Sequence, residues 1–163
     1  MREAELASEL IIGLVDGLQD KKASIDKFYE KYEDDFPNRR SVIQKFQRVL
    51  TWIDVNIGKE TIRETAFHRR PMFYSLFLAT ADALSGIPRG RGPVPNLASE
   101  MTARQATAAR AALVRLSEAL AEEEPPTKLV DFVVASARQT DNVGPRRIRH
   151  NAVLRVLREA AQK

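Results

Sequence analysis

Apolar residues recur every three or four positions along most of this chain, a spacing that predicts amphipathic helices. The first predicted helix covers residues 2–18. The second starts from Ser24 as its N-cap and ends before Pro37, because the residue that precedes a proline avoids helical dihedrals. Asn38 is the predicted N-cap of the third helix, and Gly58 ends it. The inward residues predicted for the second and third helices are Ile25, Phe28, Tyr29 and Tyr32, then Val42, Phe46, Val49, Leu50 and Ile53.

The segment from Ile62 to Pro88 is the most apolar and aromatic part of the chain, and it is predicted to contain the central helix. Pro71 suits the first turn of that helix, where its missing N–H is not needed, and Gly86 ends it. A helix that is apolar around most of its circumference belongs in the middle of a domain. We therefore expect the other helices to pack on this segment.

Residues 86–97 form the one long loop that the sequence predicts, because three glycines and three prolines exclude regular structure there. The loop carries Arg89 and Arg91, and it is a candidate for either an internal hinge or an exposed contact loop. A long alanine-rich helix follows, from Ser99 as its N-cap to about Glu123. Its narrow stripe of small residues favours the close approach of another helix.

Two further helices complete the predicted fold. Residues 128–138 include an apolar run with strand propensity, but helical spacing and the lack of a partner strand in the sequence favour a helix. The inward residues predicted for the last helix, which opens at Pro145, are Ile148, Ala152, Val156 and Ala160, supported by Val153 and Leu157. The prediction is one all-α domain over residues 1–163, an irregular helical bundle of about six or seven helices with no sheet.

Composition excludes several classes of protein. With no cysteine, the chain has no disulfide, no thiolate zinc site and no cysteine nucleophile. Its two histidines, His68 and His150, are too few for a histidine-rich metal site. No apolar run is long enough to cross a bilayer, and the start at Met1 lacks the cationic and apolar parts of a signal peptide. These features predict a cytoplasmic protein without a membrane partner.

The net charge of +4 is divided unevenly along the chain. Residues 1–36 carry ten acidic and five basic side chains, so the rest of the chain carries a net charge of +9. This asymmetry has two interpretations, which the sequence leaves open. Either an acidic face packs on a basic one within the fold, or a basic face binds an anionic partner.

The basic residues of the last helix are the best candidates for binding chemistry. From Arg138 to Lys163 the chain has seven bases and two acids, and arginines on a helix can hold phosphates with paired N–H groups. The candidate nucleic-acid-binding residues are Arg146, Arg147 and Arg149, with Arg89 and Arg91 from the loop. The alternative is that these arginines pair with the acidic N-terminal third or lie in solvent.

Other charged clusters are interpreted as structural. The run from His68 to Arg70 precedes the central helix, where positive charge is unfavourable, so it is expected to pair with Glu60 or Glu64. The acidic group at 33–35 lacks the spacing of a calcium loop. The sequence has no phosphate-binding glycine loop, zincin helix or serine elbow. It therefore predicts no catalytic residue, no metal and no cofactor, and no enzyme activity in this chain alone.

Three stretches carry a resemblance to a known family. They are ELASELIIGLVDGLQDKKASIDKFYEKY near the start, FHRRPMFYSLFLA in the middle and RQTDNVGPRRIRHNAVL near the end. Together they resemble the helical C-terminal half of bacterial anti-phage defence proteins of the GmrSD restriction type. In that family the N-terminal half is a ParB/sulfiredoxin-like domain with nucleotide-dependent activity, and some members add an HNH nuclease domain.

The resemblance implies a non-catalytic helical module that packs against the catalytic N-terminal half of a longer parent protein. It also implies that the module helps to position DNA or mediates self-association as a homo-oligomer. The family's D-G-Q-Q-R-like nucleotide motif is absent, since the nearest string, from Asp16 to Asp20, lacks the arginine. An HNH motif is absent as well, so no catalytic residue carries over. The alternative function is a helical protein-interaction or oligomerisation domain without nucleic-acid binding, with the small-residue stripe of residues 99–121 as its contact.

Overall fold

The computed structural model describes residues 2–36, 38–94, 97 and 100–163, and their side chains except those of residues 2, 3 and 21–24. These residues form eight α-helices and no strand, which confirms the all-α class. The helices are α1 (Arg2–Asp16), α2 (Lys21–Lys31), α3 (Arg39–Asn56), α4 (Lys59–Glu64), α5 (Arg70–Ser85), α6 (Ala103–Glu118), α7 (Val130–Ala137) and α8 (Val143–Ala160). Short 3-10 turns at Ala66–His68 and Thr127–Leu129 lead into α5 and α7.

The third helix ends at its predicted stop signal, whereas the second ends at Lys31, well before Pro37, and the predicted caps differ. The third helix begins directly after Asn38 and ends before Gly58, but Asn38 has a left-handed φ of 65° and makes no capping bond with its side chain. Ser24 lies inside α2, which starts at Lys21, so the prediction of Ser24 as a cap is wrong. One helical turn more is formed there than the polar sequence suggests.

The start of α6 is set by Thr102. Its side chain accepts a bond from the Gln105 N–H, and the Gln105 side chain accepts one from the Thr102 N–H, which is a complete capping box. The predicted cap, Ser99, lies outside the described residues. Helix α6 ends at Glu118, so the predicted end at about Glu123 is wrong.

Helix α5 is the centre of the fold, as its apolar sequence predicts. Leu76, Phe77 and Leu78 are fully buried although they point in successive directions around the helix. They are enclosed because α1, α3 and α8 all pack against α5. The most extensive of these contacts is the one between α5 and α8.

The inward face of α8 differs from the predicted one at its start. Val153 and Leu157 are fully buried as predicted, but Ile148 is 40% exposed. Continuing the stripe back from Leu157 in steps of three and four gives Val153, then Arg149 and Arg146, rather than Ile148. Two arginines therefore occupy positions that an apolar pattern assigns to the core.

The alanine stripe of α6 is buried rather than exposed. Ala106, Ala109 and Ala112 belong to the core, where α6 packs on α8. The small side chains explain this contact, because they let the two helices approach closely. The stripe is therefore not available as the contact surface that the interaction-module alternative assigned to it.

The predicted inward faces of α2 and α3 are partly wrong. Tyr29 is 59% exposed, while Phe28 and Tyr32 are half-buried and pack with Phe36 in an aromatic cluster at the end of α2. In α3, Leu50 is exposed at the edge of the fold. Helix α2 makes its main contact with α1 alone, which leaves its outer side in solvent.

Candidate nucleic-acid interface

Helix α8 divides its basic side chains between two faces. Arg146, Arg149 and His150 lie on the inner face and are buried. Arg147 and Arg155 lie on the outer face and are exposed, and Arg158 is half-buried on the same side.

Arg146 is enclosed between α8 and the N-terminal third of the chain. Its Nη2 donates to a carboxylate oxygen of Glu9, and its Nη1 donates to the Gln19 carbonyl at 3.1 Å. The guanidinium carbon lies 4.0 Å from the centroid of the Tyr74 ring, a cation–π contact. For Arg146 the structure thus confirms the alternative interpretation, in which a basic residue pairs with the acidic N-terminal third.

Arg149 joins three helices from the interior. Its Nε donates to the Ser75 hydroxyl of α5 at 3.1 Å, and its two terminal nitrogens donate to the carbonyls of Ala135 and Thr140 at 2.5 and 2.6 Å. The Ala135 carbonyl lies in the last turn of α7, where positive charge is favourable, and the Thr140 carbonyl lies in the turn that follows this helix. Burial, and secondarily the charge of Arg146, lower the pKa of Arg149 to about 10, so it stays protonated at neutral pH.

The burial of these two arginines corrects the predicted nucleic-acid site. Arg146 is 3% exposed and Arg149 is 0% exposed, and their terminal nitrogens are directed at protein acceptors. A phosphate on the surface cannot reach them while the protein is folded. They are structural residues, and the interface must be sought on the outer face of α8.

His150 pairs with the buried carboxylate of Asp82 in the middle of the α5–α8 interface. The His150 Nε2 lies 3.0 Å from the Asp82 Oδ2. Asp82 also accepts backbone N–H bonds from Ile87 at 3.3 Å, Arg91 at 2.7 Å and Gly92 at 2.9 Å. Burial alone would raise the pKa of Asp82, but the bonds from His150, Arg91 and Gly92 outweigh it and hold that pKa below its usual value.

The loop after α5 is therefore fixed along its first half. Three of its N–H groups, those of Ile87, Arg91 and Gly92, converge on the Asp82 carboxylate, and we call this arrangement the carboxylate nest. The Lys45 ammonium of α3 also donates to the Gly86 carbonyl. The nest needs glycine at two positions: a Cβ on Gly90 would collide with the Asp82 carboxylate, and Gly92 has a φ of 81°. This anchoring favours the contact-loop interpretation over a hinge.

A groove of about 430 Å³ lies beside the anchored loop, between it, α7 and the outer face of α8. We call it the basic groove. Its charged and polar lining residues are Arg91, Lys128, Arg155, Arg158, Asn151 and Asp131. Within the described part of the chain, no carboxylate lies within 4 Å of the nitrogens of its four basic side chains.

Two internal features shape the groove. The Arg91 Nε donates to the Asn151 Oδ1 at 3.3 Å, so the loop is tied to the outer face of α8. The Nε of Arg158 is buried and has no hydrogen-bond partner among the described residues. The groove has a net positive charge because four cationic side chains and one carboxylate, that of Asp131, are among its described lining residues.

The structure brings together some of the predicted site residues and adds others. Arg91 lines the basic groove, and Arg147 continues the same face of α8 one turn before Asn151. Arg89 is exposed with a left-handed φ of 57° but does not line the groove. Sequence reasoning missed Lys128, Arg155 and Arg158. The polar stripe opposite the apolar one, at positions 147, 151, 155 and 158, is the signal that could have identified the last two.

The cluster before α5 pairs differently from the prediction. Arg70 bonds Glu5 of α1 at 3.5 Å, and the His68 Nδ1 lies 2.6 Å from the Thr65 carbonyl. Glu60, the expected partner, instead bonds Arg63 one turn along α4. Among the described residues no group of three or more His, Asp or Glu side chains is placed to hold a metal, and no helix is long and apolar enough to span a membrane.

Comparison of the chain with protein-family models, with curated proteins and with solved structures found no significant match. A function for this protein is therefore inferred from the geometry of the basic groove and from the resemblance given above.

Proposed function

We propose that this chain is a non-catalytic helical module that binds nucleic acid by its phosphate backbone, as an accessory part of a GmrSD-like anti-phage restriction protein. The observation that carries the proposal is the basic groove, in which four cationic side chains converge and none has a carboxylate within 4 Å among the residues that the structure describes. In this proposal the catalytic work belongs to the N-terminal half of the parent protein, which the module supports.

The charge of the groove supports a phosphate ligand. Arg91, Arg155 and Arg158 repel one another, and the one carboxylate among the groove's described lining residues, Asp131, leaves a net positive charge. A polyanion that binds there would relieve this repulsion and release its own counterions. Arginine also suits phosphate oxygens because its planar guanidinium donates two parallel bonds.

The lining of the groove favours recognition of the backbone over recognition of bases. Its aromatic residue, Phe132, is only 2% exposed, so its ring is not available to stack on a base. Phosphate contacts position a protein on a duplex but carry no sequence information. We therefore expect binding that is independent of sequence and sensitive to salt.

The direct test is the affinity for a 20-base-pair DNA duplex, measured by fluorescence anisotropy at 50 and 200 mM salt. With four phosphate contacts, the affinity should fall on the order of a hundredfold between the two salt concentrations. Replacing Arg155→Ala and Arg158→Ala together should weaken binding at 50 mM. The matched control is Arg40→Ala with Arg48→Ala, which removes two exposed arginines from α3 on another part of the surface.

Two results would overturn the proposal. One is the absence of binding at 50 mM salt by a protein that circular dichroism shows to be helical. The other is an equal loss of affinity in the α3 pair and the α8 pair, because net charge alone would then explain the binding.

The second candidate function is a protein-interaction or oligomerisation module. Since the alanine stripe of α6 is buried, this alternative needs another surface, and exposed apolar side chains occur on α3 at Ile43, Leu50 and Val55. Light scattering over a range of concentrations separates the cases. A strictly monomeric protein that binds DNA supports the first function, and a stable dimer that does not bind DNA supports the second.

A further inference from the structure

We infer that Asp82 is a positioning residue for the basic groove: through the carboxylate nest it fixes the backbone at Arg91 and thereby places that side chain for phosphate binding. The consequence for binding rests on the function proposed above, whereas the anchoring of the loop does not. Asp82 itself is buried and does not line the groove.

The geometry of the nest carries the inference. The shortest N–H bond to Asp82 comes from Arg91 itself, at 2.7 Å, and the next, at 2.9 Å, comes from the adjacent Gly92. The same Oδ2 that accepts from Arg91 faces the His150 Nε2 at 3.0 Å. One carboxylate oxygen therefore connects the backbone of a groove residue to the helix that forms the opposite wall.

The Arg91 side chain is directed by this arrangement. With its backbone fixed below, its Nε reaches the Asn151 Oδ1 at 3.3 Å, one residue after His150 on α8. The loop is thus tied to α8 in two ways: through Asp82 of α5, which accepts from the loop N–H groups and faces His150, and directly at the surface through Arg91–Asn151. Since the surface contact is long and exposed, the buried bonds to Asp82 are the ones that hold the loop.

The polar groups around Asp82 fit this role. His150 faces it from α8, and the Lys45 ammonium approaches from α3 and bonds the Gly86 carbonyl at the start of the loop. The N–H groups of the loop use the carboxylate as their anion, so the backbone of this loop is not free to bind a phosphate. The contribution of the loop to the groove is therefore made by the Arg91 side chain.

The first measurement is hydrogen exchange of the Arg91 and Gly92 amides by NMR, which needs no ligand. In Asp82→Asn the carboxamide offers one acceptor oxygen instead of two, so these amides should exchange about tenfold faster than in the unmutated protein. A second variant, Gly90→Ala, displaces the loop without changing any charge, because the new Cβ collides with the Asp82 carboxylate. Its matched control is Gly144→Ala, whose Cβ meets nothing within 4 Å.

The second measurement is affinity for the same DNA duplex at 50 mM salt. Asp82→Asn and Gly90→Ala should each weaken binding by about as much as Arg91→Ala, about tenfold for one lost phosphate contact. Asp82→Asn removes a negative charge, which by itself would strengthen binding to DNA. Asp131→Asn, in the groove wall, is the control for that charge effect and should bind DNA more tightly than the unmutated protein.

The double variant Asp82→Asn with Arg91→Ala decides whether Asp82 acts through Arg91. We expect it to bind within about twofold of Arg91→Ala alone, because one lost contact cannot be lost twice. Additive losses, or amides that stay protected in Asp82→Asn, would overturn the positioning role. If Asp82→Asn does not fold, Gly90→Ala and its control give the same decision. If the unmutated protein does not bind DNA, the proposed function is rejected. Hydrogen exchange alone then still decides whether Asp82 anchors the loop.

Discussion

The two faces of α8 carry the same kind of residue and use it in opposite ways. On the inner face, Arg146 and Arg149 donate to a carboxylate, a hydroxyl and carbonyls of the protein. On the outer face, Arg147 and Arg155 are exposed and have no carboxylate within 4 Å among the described residues. A separation of one position along the helix changes a structural arginine into a candidate ligand-binding one.

The surroundings of a charge, and not its position in a basic run, decide its role. A buried guanidinium needs acceptors for its terminal nitrogens, because an unpaired buried charge is costly. An exposed one contributes little to stability and is free to meet a polyanion. Stability measurements should therefore respond to the inner face, and binding measurements to the outer face.

The largest effect should follow from Arg149→Ala. Its loss leaves the Ser75 hydroxyl and the carbonyls of Ala135 and Thr140 without their donor and opens a cavity. We expect the free energy of unfolding, from urea denaturation, to fall by about 3–5 kcal/mol. Arg149→Lys should restore little of it, because one ammonium cannot reach three acceptors held in a fork. A loss below about 1 kcal/mol would contradict the structural role.

A somewhat smaller loss is expected from Arg146→Met, which leaves Glu9 buried and without this partner. The loss should be about 3 kcal/mol, and Glu9→Gln in the same protein should recover much of it, because it removes the buried negative charge that Arg146 balanced. Thermal and urea unfolding of the two single variants and the double variant measure this coupling. Strictly additive losses would show that the ion pair does not govern the site.

The Asp82 carboxylate should make stability depend on acidity. Its pKa in the folded protein lies below the value of 3.8 for a free aspartate, so the folded state gives up this proton more readily than the unfolded chain. The resulting stabilisation is complete well above pH 3.8 and disappears as the pH falls through the folded-state pKa. In urea titrations from pH 7 to pH 3, the free energy of unfolding of the unmutated protein should therefore exceed that of Asp82→Asn by less at the acidic end. A constant difference across that range would exclude an ionised Asp82 as its source.

The smallest effect on stability belongs to the outer face. Arg147→Ala with Arg155→Ala should change the free energy of unfolding by no more than about 0.5 kcal/mol. The same pair should flatten the plot of log affinity for DNA against log salt by about two units of slope, one for each phosphate contact. Intact slope with intact stability would mean that these arginines are only solvated.

The sequence predicted the fold class and the central helix because both depend on local pattern. The consecutive apolar residues from Leu76 to Leu78 point in different directions around α5, which indicates a helix buried on most sides. The inward face at the start of α8 was predicted wrongly for a specific reason. Ile148 was assigned to the core because it is apolar, although the helical spacing from Leu157 and Val153 leads to Arg149. Phase was the better guide, since a buried position can hold an arginine when acceptors surround it.

The carboxylate nest could not be predicted, because its partners are distant in the chain. Asp82 and His150 are 68 residues apart, and only the fold brings them together. The one local hint is that Asp82 is the single acidic residue of a mostly apolar helix. The basic groove was predictable in part, through Arg91 and the polar stripe of α8, but Lys128 enters it from a separate segment.

The buried polar contacts of α8 also bear on the order in which the protein is completed during synthesis. Glu9, Ser75 and Asp82 are made early, but each bonds a residue of α8, which leaves the ribosome after all the other helices. Until then the side of α5 that faces α8 is uncovered, and Glu9 and Asp82 do not have their bonds to Arg146 and His150. The domain can close only when its last helix docks, so a nascent chain that ends before α8 should be a target for chaperones and proteases.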